Sequence, residues 1–420
     1  MNIYFCGIGG VGIGPLAEIA RDAGHTVQGS DTKQSLTTKE LSERDVTVTT
    51  DQSGAFLTAA HADNPIDWFV YTAALPADHP ELLTAQQLGI HTAKRDELLN
   101  HIISEKNLKL IAIAGTHGKT TTTAMMVWTM RQLGIPVSYS IGSTVSFGPS
   151  GYFDPASKYF VYECDEFDRN FLHFSPFVTA ITSIDYDHPD TYPTPASYTD
   201  AFTQLINQSQ HTIMWKHDTT TGTTPHDDSW VLQDSEAIDY KIPGAHNRAN
   251  ATLIAKVCEY VNFGTSDSVK TALESFPGTS RRFERLAENL YSDYGHHPVE
   301  IAATLQMARE INDRVVLVYQ PHQNRRQHEI RDQYTNCTEL AEDIYWLPTY
   351  LSRESVDLPV LTPEELIEGL ANSENVHVAE LDDILWSAIQ VAREHGKLVL
   401  CMGAGSIDDW VRQKLADSTQ

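Results

Sequence analysis

Along the whole chain, short apolar runs alternate with longer amphipathic stretches, the pattern of repeated βαβ units. Three blocks follow from it. The first, residues 1–106, opens with a strand over Asn2–Cys6 and closes with a polar, helix-like stretch over Arg95–Lys106. The second, residues 107–276, opens with the apolar strand Leu108–Ala114. The third, residues 277–420, opens at PGTSRRFE and holds strands near Val315–Tyr319 and Leu398–Met402. The polar stretch KHDTTTGTTPHDDS reads as an excursion inside the second block, because strand-forming residues follow it. The pattern predicts an α/β protein with parallel sheets.

Two of the predicted strands run straight into glycine-rich turns. After the first, Gly7, Gly9 and Gly12 form G-x-G-x-x-G; PLAEIARDAGH then reads as a helix, and TVQGSD as a strand ending at Asp31. Such glycines permit a tight turn and close approach of a phosphate, and the following helix N-terminus carries partial positive charge. NAD, FAD or another diphosphate nucleotide would fit, and so would a packing turn that binds nothing. After the strand that opens the second block comes GTHGKTTTT. Ile113 stands where a Walker A loop has its first glycine, and the extra glycine is Gly115. The Gly-Lys-Thr core still supplies backbone N–H groups for phosphate, Lys119 for its charge and Thr120 for a divalent cation.

Two acidic loops strengthen the second reading. ECDEFDRNF puts Glu163, Asp165, Glu166 and Asp168 just past an apolar strand, and SIDYDHPD does the same with Asp185, Asp187, His188 and Asp190. Loops after parallel strands gather at one sheet edge, so these acids and the phosphate loop are expected together. A few carboxylates with substrate phosphates are what Mg²⁺ prefers.

Composition narrows the partners. The 420 residues and 41% apolar content suffice for two or three domains. A formal net charge of -26 repels nucleic acid and anionic membrane, so neither is expected as a partner. No run of apolar residues is long enough for a membrane span, and no basic leader precedes the first strand. The cysteines Cys6, Cys164, Cys258, Cys337 and Cys401 are scattered and lack CxxC spacing, which fits a reduced cytoplasm.

The order GIGGVG, GTHGKTTTT, ECDEFDRNFLH, DYDHPDTY, PGAHNRANA, RRFE, DYGHHPVE, YQPHQNRR and GAGSI resembles the Mur ligases of peptidoglycan synthesis, from Gly7 to Ser406. The resemblance implies three domains: a Rossmann-like UDP-sugar domain, a central P-loop-like ATPase domain and a C-terminal Rossmann-like domain for the amino acid. It implies ATP and Mg²⁺ as cofactors, and UDP-N-acetylmuramate and L-alanine as substrates of the alanine-adding branch. The first loop would then hold the UDP diphosphate and the second ATP. The substrate carboxylate would take the γ-phosphoryl group, and the amine would attack the acyl phosphate. A cytoplasmic monomer or homodimer is expected.

Position by position, the resemblance puts the UDP-sugar at Gly7, Gly9, Gly10, Gly12, Asp31, Thr72, Ala73 and Arg95. It puts ATP at Gly115, Thr116, His117, Gly118, Lys119, Thr120 and Thr121, with Asn247 and Asn250 at the adenine end. Asp293 would meet the ribose and Arg282 the phosphates. Thr120 and Glu163 would hold one Mg²⁺ and His188 a second; Lys119, His188 and Arg282 would carry the catalysis. Tyr294, His296, His322 and Arg326 would form the amino-acid pocket. Gln323 departs from the alanine-adding pattern, which has arginine there, and so removes one charged donor for the amino-acid carboxylate. The absence of lysine between His188 and Lys216 agrees with that branch. Three competing readings remain: a recycling ligase that attaches a preformed peptide, a nicotinamide-dependent oxidoreductase built on the first loop, and a non-catalytic nucleotide-binding regulator.

Overall fold

The computed structural model describes all residues except 11, 73–74, 189–190, 220–221, 353, 355–357 and 419–420. The chain forms two compact units. One comprises Met1–Ala237 and Asn250–Phe276; the other comprises Ile238–Ala249 and Pro277–Gln420.

The first unit holds two sheets. In the N-terminal one, β1 (Asn2–Cys6), β2 (Thr26–Ser30), β3 (Thr47–Thr49), β4 (Trp68–Tyr71) and β5 (His91–Lys94) lie in the order β3-β2-β1-β4-β5. All neighbours are parallel. Every residue of β1 is buried, as expected for the central strand of a sheet covered on both faces. The strand order reverses between β1 and β4, and in open parallel sheets ligands bind beyond the carboxyl ends at such a point.

The second sheet comprises β6 (Lys109–Ala114), β7 (Ser138–Ser140), β8 (Gly151–Tyr152), β9 (Tyr159–Glu163), β10 (Val178–Ile181), β11 (Thr212–Trp215) and β12 (Ser229–Leu232). Their order is β12-β11-β10-β6-β9-β7-β8, antiparallel only at β7 and β8. Here the reversal falls on β6, flanked by β9 and β10. The expected gathering of the phosphate loop and both acidic loops follows from that order alone. The polar excursion contains a short helix, Lys216–Thr219, and leads into β12.

In the second unit, β13 (Glu284–Ala287), β14 (Leu290–Asp293), β15 (Val315–Tyr319), β16 (Asp343–Trp346), β17 (Val376–Val378) and β18 (Leu398–Met402) take the order β13-β14-β18-β15-β16-β17. Only the β13–β14 hairpin is antiparallel. β15 and β18 pair at the centre, and both are buried along their full length. The five cysteines are all buried free thiols. Among the described residues, no helix is long and apolar enough to cross a membrane.

Candidate active site

The first glycine loop is held largely by its own sheet. The N–H groups of Gly7 and Ile8 both donate to Ser30 O, at 2.8 and 2.9 Å. Asp31 sits one residue past β2, and its Oδ2 accepts the Gly9 N–H at 2.8 Å. A Cβ on Gly9 would come within 2.8 Å of Ser35 Oγ, so the closeness of this turn demands glycine. Gly10 N donates back to Gly7 O at 3.0 Å. Thr72 follows β4 beside Gly7, and the Arg95 guanidinium lies over Gly12. Gly7, Gly9, Gly10, Gly12, Asp31, Thr72 and Arg95 are therefore gathered at one sheet edge. Ala73 lies outside the described residues.

The second loop is surrounded by ionisable groups. Gly115 has φ +136°, and a Cβ there would lie 2.2 Å from Thr182 Oγ1. Thr116 N donates to Ser183 O at 2.9 Å, and its hydroxyl meets Tyr198 OH at 2.7 Å. His117 N donates to Ser183 Oγ at 3.1 Å. Gly118 caps the helix Lys119–Gln132 with φ 79°. Lys119 Nζ donates to Gly115 O and to Glu166 Oε2, both at 2.6 Å. Burial opposes the Lys119 charge, but Glu166, Asp165 and Glu163 outweigh it and hold the ammonium well above its ordinary range. Thr120 Oγ1 donates to Glu163 Oε1 at 2.8 Å, and Gly142 N donates to the other carboxylate oxygen at 2.9 Å. Thr121 lies on the first turn of the same helix.

His188 stands in the left-handed region (φ 55°), with Nε2 3.4 Å from Glu166 Oε1. Glu166 thus faces Lys119 with one oxygen and His188 with the other. Its burial alone would raise its pKa; Lys119 and His188 reverse that and lower it. The acidic-loop reading grouped Glu166 with its neighbours as carboxylates suited to Mg²⁺ and did not foresee its bond to Lys119. Nothing in the spacing of ECDEFD separates it from its neighbours; only its burial, at 1% exposure, does so. Ser183, which holds the loop backbone, and Tyr198, which meets the Thr116 hydroxyl, also went unassigned. Asp190 lies outside the described residues.

The two asparagines of HNRAN fall in different units. Asn250, on the helix Ala245–Val261, packs beside Gly118 in the first. Asn247 Nδ2 donates to Pro243 O at 3.1 Å in the second.

The remaining expected residues lie in the second unit. Asp293 ends β14 and accepts from Phe283 N and Gly295 N, both at 2.7 Å. Burial pushes its carboxyl up to about 6, against the Arg282 charge. The Arg282 guanidinium carbon lies 5.1 Å from the Tyr294 ring centroid. Tyr294, His296, His322 and Arg326 come together: ring centroids of Tyr294 and His296 are 5.8 Å apart, and those of His296 and His322 are 5.6 Å apart. Arg326 Nη1 meets His296 Nε2. Arginine can only donate, so Nε2 accepts, and Nδ1–H then donates to Tyr294 O at 3.2 Å. Burial lowers the His296 pKa to about 4, more than Glu300 raises it, which agrees with a neutral ring. Gln323 adopts φ 62° at the start of the helix Asn324–Ile330 and donates its N–H to Tyr350 O at 2.9 Å.

The three sheets align with known sequence families. The description "Mur ligase family, catalytic domain" matches residues 2–107, "Mur ligase middle domain" residues 113–228, and "Mur ligase, glutamate ligase domain" residues 281–405. The chain belongs to the Mur ligase family. This Mur ligase is 31% identical to the UDP-N-acetylmuramate–L-alanine ligase of Desulfosudis oleivorans, over 97% of this chain and 96% of that protein. It is 30% identical to the enzyme of the same name from Parvibaculum lavamentivorans, over 97% of this chain and 91% of that one. In fold it matches a UDP-N-acetylmuramate–alanine ligase from Thermotoga maritima over 100% of both chains, with TM-score 0.78 and 24% identity. A murein peptide ligase from Psychrobacter arcticus gives TM-score 0.64 at 23% identity, over 99% of this chain and 98% of that one. Membership of the family implies ATP as the energy source.

Proposed function

We propose that this Mur ligase joins L-alanine to the lactyl carboxylate of UDP-N-acetylmuramate at the expense of ATP, as a cytoplasmic step in peptidoglycan precursor synthesis. The observation that carries the reading is the tethered Lys119: a cation fixed by Glu166 at the carboxyl edge of β6, in a chain whose near full-length relatives bear that name.

In this reading the first loop takes the UDP diphosphate and the second the ATP phosphates. Lys119 meets phosphoryl charge as it passes between two anions, a role preorganised groups perform without reorganising at the moment of reaction. The substrate carboxylate becomes an acyl phosphate, the amine of alanine attacks its carbonyl, and phosphate leaves. Mg²⁺ suits the Thr120 hydroxyl and the Glu163 carboxylate, hard oxygen donors 2.8 Å apart; His188 would serve a second ion. Bound there, the cation would neutralise phosphate charge and polarise the phosphoryl oxygen. Asn247, Asn250, Arg282 and Asp293 are assigned to the nucleotide, and the domain boundaries are set at residues 106/107 and 276/277.

Within the second unit, Tyr294, His296, His322 and Arg326 would receive the amino acid. Arg326 is the group for its carboxylate, because a planar guanidinium grips both oxygens. The neutral His296 ring adds no second cation beside the incoming ammonium group. Arg326→Ala should raise the KM for alanine about ten-fold, the loss of one charge-assisted contact of roughly 1.5 kcal/mol, and leave the KM for ATP unchanged.

The test is phosphate release with UDP-N-acetylmuramate across the twenty amino acids and a cell-wall tripeptide, with the product weighed by mass spectrometry. Alanine-dependent release and a product heavier by one alanyl residue are expected. Release with the tripeptide but not alanine would replace this reading with that of a murein peptide ligase. Release with neither would overturn it.

A further inference from the structure

Behind the first glycine loop, three metal-ligating side chains converge that the ligase reading does not use. Cys6 ends β1, and His79 and Glu81 flank Pro80 at the start of the helix Pro80–Gln87. The Cys6 sulfur, a His79 ring nitrogen and a Glu81 carboxylate oxygen all lie within 4.8 Å of one another. Cys6 and Glu81 are fully buried, and His79 is half-buried.

Hydrogen bonding satisfies Glu81 but not the whole cluster. Glu81 is a carboxyl group at 0% exposure, and among the described residues no Lys or Arg side chain pairs with it. His79 Nδ1 is buried and, among the described residues, has no hydrogen-bond partner. Each Glu81 oxygen accepts from a hydroxyl: Tyr4 OH to Oε1 and Ser30 Oγ to Oε2, both at 2.6 Å. Gln52 Nε2 donates to Ser30 Oγ at 3.2 Å and approaches Cys6 Sγ at 3.8 Å. Outer hydrogen bonds of this kind orient the ligands of metal sites.

We propose that Cys6, His79 and Glu81 bind a divalent cation of the zinc class, with water in a fourth position. Thiolate, imidazole and carboxylate are the donors zinc takes, whereas sulfur discriminates against Mg²⁺. Tetrahedral bonds of roughly 2.0–2.3 Å hold ligand atoms inside the 4.8 Å limit that already encloses these three. Binding forms the sulfur–metal bond and releases the thiol proton to water. The proposal does not rest on the ligase reading; Gly7 follows Cys6 directly, so occupancy would stiffen the first loop at its root.

The test uses the full chain in excess MgCl₂, titrated with CoCl₂ as a spectroscopic probe and then with ZnCl₂ in equilibrium dialysis. One equivalent of cobalt giving a thiolate-to-cobalt band in the near ultraviolet, displaced by zinc, is the expected result. Cys6→Ser should abolish the band, His79→Ala should weaken zinc binding by at least on the order of 100-fold, and Tyr4→Phe should weaken it by about 10–100-fold. Circular dichroism checks that each variant is folded. The proposal falls if the wild-type chain shows no thiolate band, or if a folded Cys6→Ser keeps it. Should Cys6→Ser not fold, an unchanged zinc affinity in His79→Ala overturns it equally.

Discussion

At the end of β1 the chain turns through Gly7 and fastens to the neighbouring strand; at the end of β6 it turns through Gly115 and meets a cluster of charges. The first turn is stabilised by backbone bonds to Ser30 and by one carboxylate, Asp31, aimed at Gly9 N. The second carries Lys119 bonded to Glu166, with Thr120 on Glu163 and His188 close by. Both present backbone N–H groups at a sheet edge, and such groups suffice to hold a diphosphate. At the first, Asp31 is taken up by the loop's own backbone; at the second, a fixed cation, Lys119, stands among Glu166, Glu163 and His188, where charge can be met during a reaction. Glycine spacing builds a place for phosphate, and the side chains beyond it decide whether chemistry follows.

The hardest blow to this contrast is Lys119→Ala. Turnover should fall on the order of 10² or more, as for loss of a main charge stabiliser, with UDP-N-acetylmuramate affinity unchanged by calorimetry. Weakened UDP-sugar binding with turnover preserved would reverse the two assignments.

Paired glycine variants probe the turns themselves. Gly115→Ala must place a methyl group 2.2 Å from Thr182 Oγ1 at φ +136°, so a loss of more than about 3 kcal/mol in urea unfolding is expected. At Gly7 the nearest atom is 3.8 Å away and φ is +79°, so alanine there should cost only roughly 1–2 kcal/mol of backbone strain. Equal costs would mean that the two turns are less different than their surroundings suggest.

The gentlest probe is Asp31→Ala, which removes the bond to Gly9 N. A loss of about 1 kcal/mol, roughly five-fold in UDP-sugar affinity, is expected. Calorimetry with NAD and NADP should give no heat in either protein. Tight NAD binding that Asp31→Ala abolishes would show that the acid reads a ribose rather than shaping the loop.

Much of this was legible beforehand because it is local. Apolar runs marked β1, β6, β15 and β18, and the glycine and acidic motifs lay directly after strands. A strand-following loop has only one edge of a parallel sheet to occupy. Partnerships across the fold were not legible. Asp31 was expected to close a strand, yet β2 stops at Ser30 so that the carboxylate can turn into the loop. Glu166 looks like any other acid in DEFD until burial brings it to Lys119. Cys6 lies about seventy residues of sequence before His79 and Glu81, and the pairing of β1 with β4 closes that gap. Asn247 and Asn250, three positions apart, read as one motif but serve different compact units.

The five buried thiols turn this chain into its own clock. Burial raises the pKa of each, so none reacts with an alkylating reagent until the surrounding structure opens. Cys6 reports on the N-terminal sheet, Cys164 on the acidic loop after β9, Cys258 on the helix behind HNRAN, and Cys337 and Cys401 on the second unit. The order in which mass spectrometry finds them labelled is the order in which those regions breathe, recorded without a probe being added. Substrate that protects one thiol and spares another would time the closing of each region separately.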